Sequence, residues 1–289
     1  MKYTILSILV GSLLLAGCGG SDNNNSNNSP KDNGGQGTQN PSTPLTTALI
    51  NQMSGIALRE ALLSGLVDTL ISGTDDVKDG AQCKTGSMTR NGNLIHFDQC
   101  TGLYEDSENA KVSGDIDLSN SNYSYKDFTL SFPDSGETQK INGVLKLSIN
   151  EPVRSVKSTQ IVLDMQALNS AKKLIPVNYT FTDYNLVWTS SDATHVQLQI
   201  STKLKSTGAE GGDFNMAFDN FMNPFDLQKD AEDNLVGYPS AGTLTVYDLN
   251  QSKNKITIKA MGVNQPAQYT SEGDQIFDKP VTWSDLLSY

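Results

Sequence analysis

After Cys83 the chain changes its period. Apolar residues recur at every second position in short runs, and each run ends in a cluster of Gly, Asn, Asp, Ser or Pro. Successive side chains of a strand point to opposite faces, so this pattern fits a sheet with one buried and one wet face. Residues 87–90 and 93–98 flank Asn91-Gly92, the strongest short hairpin signal. Residues 128–132 alternate, Pro133-Asp134-Ser135-Gly136 turns, and 141–149 alternate again. Residues 158–165 read as a further strand. Residues 179–188 and 195–204 pair around Ser190-Ser191-Asp192, and 242–249 with 255–260 form the last clear hairpin. About ten strands joined by short polar turns predict a mainly β fold, an antiparallel meander forming a curved sheet or a sandwich.

Before the sheet, residues 45–72 carry a helical period. Leu49, Met53, Ile56, Leu63, Leu66 or Val67, and Leu70 recur at three- and four-residue steps. Thr46 or Thr47 can cap the start and Gly73 can stop the end. Gly55 and Gly65 weaken the interior by up to about 1 kcal/mol each, so either can break it. The helix is expected to pack on the sheet. A membrane-surface helix would need a basic polar face, and this one offers only Arg59.

A weak repeat runs through the strands. An aromatic, one residue, an amide or acid, then usually a second aromatic occurs as Phe97-Asp98-Gln99-Cys100, Tyr125-Lys126-Asp127-Phe128, Phe181-Thr182-Asp183-Tyr184 and Phe218-Asp219-Asn220-Phe221. Gly-x-aliphatic strands follow at Gly114, Gly143 and Gly242. Repeated hairpins of one curved sheet, with the Asp or Asn facing out, explain this more simply than a duplicated ligand-facing row.

Motifs for catalysis are lacking. The two histidines, His96 and His195, lie in strand patterns without a partner at metal-ligand spacing. No nucleophile elbow, zinc-protease or phosphate-loop string occurs. Ser170-Ala171-Lys172-Lys173, Ser21-Asp22-Asn23 and Lys84-Thr85-Gly86 match the three strings of penicillin-recognising serine enzymes. Their order along the chain is wrong for that family, so they read as chance. Asp226, Asp230, Glu232 and Asp233, like Asp274 and Asp278, lack the spacing of a calcium loop and read as solvated acids. The end, Trp283 to Tyr289, distantly resembles the last strand of an outer-membrane barrel. The chain is too polar for a barrel, and these residues are expected to cover a sheet edge. No cofactor or metal is expected.

The net charge of −11 repels phosphate backbones, so nucleic acid is not an expected partner. Of three cysteines, Cys83 and Cys100 are expected to form a disulfide in an oxidising compartment. Closing that loop stabilises by about 3 kcal/mol on the chain-entropy model. No Cys-x-x-Cys spacing supports metal or redox chemistry.

The chain opens with Lys2, an apolar run over residues 4–16, and an abrupt polar stop at Gly19-Gly20-Ser21-Asp22. The run is too short to span a bilayer and reads as a secretory signal peptide, residues 1–17. Leu15-Ala16-Gly17-Cys18 resembles the lipobox of bacterial lipoproteins in all four positions. The resemblance implies cleavage before Cys18, lipidation of its sulfur and acylation of its new amine. Several acyl chains on one residue make a stable anchor where one would not. By the rule of Gram-negative lipoproteins, Gly19 rather than Asp implies transfer to the outer membrane. Residues 18–44 are almost entirely Gly, Ser, Asn, Asp, Gln, Thr and Pro. They are expected to form a disordered tether of roughly 28 Å mean span, leading into a domain over residues 45–289.

The polar tether, the hairpins and Tyr238-Pro239-Ser240-Ala241-Gly242 before a Gly-x-Leu-x-Val strand resemble a broad set of uncharacterised β-rich envelope lipoproteins. That resemblance supplies no activity. The first expectation is a non-catalytic binding or structural module displayed from the outer membrane. A carrier of a hydrophobic ligand would instead need an apolar groove between sheet and helix. A carboxylate hydrolase would need two acids facing across a cleft, about 5–9.5 Å apart.

Overall fold

The computed structural model describes residues 44–78, 82–103, 109–231 and 234–289. The expected signal peptide, Cys18, almost all of the expected tether, and Glu232 and Asp233 lie outside the described residues.

Two helices come first, α1 (Thr47–Leu63) and α2 (Gly65–Lys78). The strands are β1 (Ser87–Asn91), β2 (Leu94–Cys100), β3 (Lys111–Asp117), β4 (Asn122–Phe132), β5 (Glu137–Asn150), β6 (Val153–Leu168), β7 (Leu174–Ser190) and β8 (His195–Thr207). They continue as β9 (Phe214–Asp219), β10 (Phe225–Lys229), β11 (Leu235–Ala241), β12 (Thr243–Asp248), β13 (Lys255–Lys259), β14 (Ala267–Glu272) and β15 (Phe277–Val281). A short helix, α3 (Trp283–Ser288), follows.

Among the described residues the strands thus number fifteen, not about ten. The additions are β9, β10, β11, β14 and β15, each five to seven residues long. So short a run gives alternation little room to register. Pro239 and Pro280 inside β11 and β15 weaken the strand signal further.

All fifteen join in one antiparallel sheet, in the order β1 through β9, then β12 to β15. The β10–β11 hairpin branches from this path. β8 pairs with β10 along its first half, from His195 to Leu198, and with β9 along its second, from Ser201 to Ser206. Asn220 fills the gap between the two partners. Its side-chain oxygen accepts from Ile200 N at 2.6 Å, and its amide nitrogen donates to Leu198 O at 2.9 Å.

The aromatic repeat marks where the sheet bends. Gln99, Asp127 and Asp183 have φ of 51°, 50° and 55°, and each sits at a break in register. An inserted residue of this kind is a β-bulge, which kinks the strand and raises its twist. The insertion also turns a three-residue spacing into a shared face. Phe97 with Cys100, Tyr125 with Phe128, and Phe181 with Tyr184 are all buried. Tyr125–Phe128 and Phe181–Tyr184 meet edge to face at 5.6 and 6.1 Å. The bulge acids face out, Asp127 to Lys140 and Asp183 to Lys203, each at 2.8 Å. Gly114 faces the Asp127 bulge; a Cβ there would lie 2.2 Å from the Asp127 carbonyl oxygen. The fourth copy of the repeat spans the end of β9, with Asn220 just beyond Asp219, and contains no positive φ.

The curled sheet encloses α1. Thr46 caps it by accepting Leu49 N, and residues 49, 50 and 52 to 62 are all buried, which covers every face of the helix. Its neighbours include α2, α3, β8, β9 and β12. The expected single helix over 45–72 is two helices. Ser64 takes a left-handed conformation (φ 51°) beside Gly65, which stops α1 and restarts the chain as α2. Gly73 does not end α2, which runs on to Lys78. Gly55 is a packing notch rather than a weak point, since a Cβ there would lie 2.6 Å from the Tyr289 carbonyl carbon. Tyr125 donates its hydroxyl to Leu70 O at 2.8 Å, holding α2 to the sheet.

Cys83 and Cys100 are bonded, with Cα atoms 5.2 Å apart. The bond fastens the β1–β2 hairpin at one margin of the sheet. At the other end of the chain, Thr282 caps α3, and Trp283 packs edge to face on Phe225 and stacks on Tyr238. Among the described residues, no helix is long and apolar enough to cross a membrane.

Candidate functional site

The longest strands, β5 to β8, present a groove on their outer face. Its volume is about 530 Å³. Burial alternates along each strand. Ile141, Leu163, Met165, Val177 and Tyr179 point inward, and Lys140, Asp164, Gln166 and Asn178 point outward. The register aligns the outward residues into two cross-strand rows. One runs Lys140, Asp164, Asn178, Thr207; the other runs Thr138, Gln166, Pro176, with Gly208 beside it.

The rim of the groove is tied down by carboxylates. Glu137 accepts Leu168 N at 3.1 Å, linking the β4–β5 turn to the end of β6. Glu210, between β8 and β9, accepts Ser170 N at 2.8 Å and the Ser170 hydroxyl. Within the rows, Asp164 accepts the Asn178 amide at 2.6 Å. Lys140 is engaged by Asp127, whose hydrogen bond and charge hold the ammonium above its ordinary pKa; Lys140 lowers Asp127 in return. The side chains of Thr138, Gln166 and Thr207 make no hydrogen bond to other described residues. The groove therefore offers neutral donors and acceptors around one engaged ammonium and one carboxylate. It holds no nucleophile set against a base.

Beneath the same strands lies a buried polar cluster. Glu60 of α1 accepts Leu66 N at 3.2 Å and the Tyr184 hydroxyl at 3.1 Å. Burial pushes its carboxyl up to about 7, against the pull of Tyr184, Leu66 N and Arg59. Arg59 donates to Leu287 O at 2.7 Å, and burial lowers its guanidinium to about 10 despite Glu60. Gln52 Oε1, the Tyr179 hydroxyl and Ser206 Oγ are buried without a hydrogen-bonding partner among the described residues. Burial raises Tyr179 to about 12, moderated first by the neighbouring Ser206. This cluster joins helix to sheet, with Arg59, Glu60 and Tyr184 all buried.

The residues singled out in the sequence do not converge. His96 meets Asp115 at 2.6 Å and His195 meets Asp192 at 3.2 Å, two separate exposed pairs. Ser170 to Lys173 form the β6–β7 turn, and Lys84 to Gly86 lead into β1. Of the acids, Asp230 caps its own turn by accepting Asn234 N at 2.8 Å. Asp274 is held down to about 2, first by Lys253, then by Leu45 N and Asn254. No group of three or more His, Cys, Asp or Glu that could hold a metal occurs among the described residues. The groove residues escaped the sequence reading. Alternation tells which side chains face out, but not which strands adjoin or in what register.

Set against models of protein families, curated proteins and solved structures, the chain matches none of them.

Proposed function

We propose that this chain is an exported lipoprotein, anchored through lipid on Cys18, whose domain is a non-catalytic binding or structural module displayed from the outer membrane. The four-residue match at Leu15-Ala16-Gly17-Cys18 supports the anchor. One structural observation carries the module reading: the inner face of the sheet is occupied by the chain's own α1, buried on every side. Recognition then falls to the outer face, where the groove of β5–β8 lies. A carrier would need α1 to leave that interior. A hydrolase would need a second acid across the groove from Asp164.

The anchor is tested by growing cells with an alkyne fatty acid and fractionating the envelope. The chain should take the label and partition with outer membrane, and Cys18→Ala should lose both. Label persisting in Cys18→Ala, or an unlabelled native chain in the soluble fraction, would sink the proposal.

A further inference from the structure

The groove on β5–β8 has a chemistry of its own. We infer that it binds a neutral glycan chain lying across the strands, along the row Lys140, Asp164, Asn178, Thr207. The inference rests on the module reading and names its ligand class.

The floor excludes a peptide added as a strand. β5, β6, β7 and β8 are interior strands, each paired on both sides, β8 with β9 as far as Ser206. Their backbone groups are spent on one another, so no edge is free for β-augmentation. Recognition must come from side chains alone. The outward side chains are hydroxyls, amides, one carboxylate, one ammonium and Pro176, and Met165, Val177 and Gly208 complete a lining whose surface is more carbon than polar atom. They suit a ligand covered in hydroxyl groups, which both donates and accepts.

Charge narrows the class further. The Lys140 ammonium is engaged by Asp127, and the cross-strand neighbours Lys140 and Asp164 carry opposite charges. The whole chain carries −11, which opposes a polyanion. A neutral polyol meets neither objection. Geometry sets the length: four strands at about 4.8 Å spacing span roughly 14 Å, the length of about three sugar rings in an extended chain. The second row, Thr138 and Gln166, lies about 7 Å along the strands and flanks the chain on one side. The volume, about 530 Å³, accommodates such a segment. The carboxylate ties of the rim, Glu137 to Leu168 and Glu210 to Ser170, hold the walls in place before binding, which limits the ordering cost.

The test uses the purified full-length chain in detergent, titrated with chitotetraose, cellotetraose and maltotetraose while amide shifts are followed by NMR. At least one neutral tetrasaccharide should shift β5–β8 residues at millimolar concentration or below. Asp164→Ala and Gln166→Ala should each weaken it by about tenfold, and the matching disaccharide should bind more weakly. A photo-crosslinking residue at position 166 in living cells is the companion measurement. Shifts confined to residues outside the groove, or no shift with any of the three sugars, overturn the glycan inference. If position 166 then captures a protein, the binding-module reading survives without the glycan. If it captures nothing, that reading fails for this face as well.

Discussion

Asn178 and Tyr179 are neighbours in β7 and live in different solvents. Tyr179 is fully buried beside Gln52 and Ser206. Asn178 stands on the outer face, bonded to Asp164 and open to water beyond it. The same contrast holds along β5 to β8. The inner face is crowded by α1 and by aromatic pairs at the bulges, so each side chain there is answerable to several others. The outer face is a lattice of polar side chains bound by few contacts. The inner face sets the shape of the sheet, and the outer face is free to vary in chemistry without unmaking it.

Substitutions should separate the two faces in proportion to burial. Phe181→Ala removes a ring packed at a bulge and should cost about 3–5 kcal/mol, read from urea unfolding. A loss below about 1 kcal/mol would mean the inner face is looser than described. Replacing Cys83 and Cys100 by Ser removes a 17-residue closure and should cost about 3 kcal/mol under non-reducing conditions. No change between oxidised and reduced native chain would remove the hairpin from the stability argument. Gly114→Ala places a Cβ against the Asp127 carbonyl at φ +99° and should cost about 1–3 kcal/mol. A neutral result would show that this bulge can relax.

Glu60 gives the inner face a dependence on pH. In the folded chain it keeps its proton to about 7, against an ordinary value of 4.5. The folded state therefore binds more protons between those values. The stabilisation is complete below about 4.5 and is lost progressively as pH rises to about 7, a change on the order of 3 kcal/mol. Glu60→Gln should flatten the curve of Tm against pH in that window; an unchanged slope would assign it to another group. The smallest effect is expected outside: Gln166→Ala should alter stability by no more than about 0.5 kcal/mol. A larger loss would show that the outer face also supports the fold.

Much of the sheet was legible in the sequence because alternation and turn chemistry act locally. Asn91-Gly92 and the long apolar alternation of β5 to β8 needed no knowledge of their partners. The short strands β10, β11 and β15 owe their existence to neighbours: β10 lies on the free half of β8, and β11 follows β10. Gly55 misled for a similar reason, since its value lies in contact with Tyr289, 234 positions along the chain. The repeat was visible, but its meaning as a bulge required backbone angles. The groove was the least legible feature, because two residues in one row share nothing along the chain except outward parity.

The packing of α1 also dictates an order of assembly. This helix is synthesised early, yet Leu45 just before it bonds to Asp274 and its Arg59 to Leu287, more than two hundred residues later. Until β8, β9, β12 and α3 exist, the apolar surface of α1 has none of these native partners. Closure over such separations is slow compared with local hairpin formation. A chain delivered amino end first would present its stickiest helix for the whole interval. The final seven residues, Trp283 to Tyr289, are the last to arrive and complete the burial of α1.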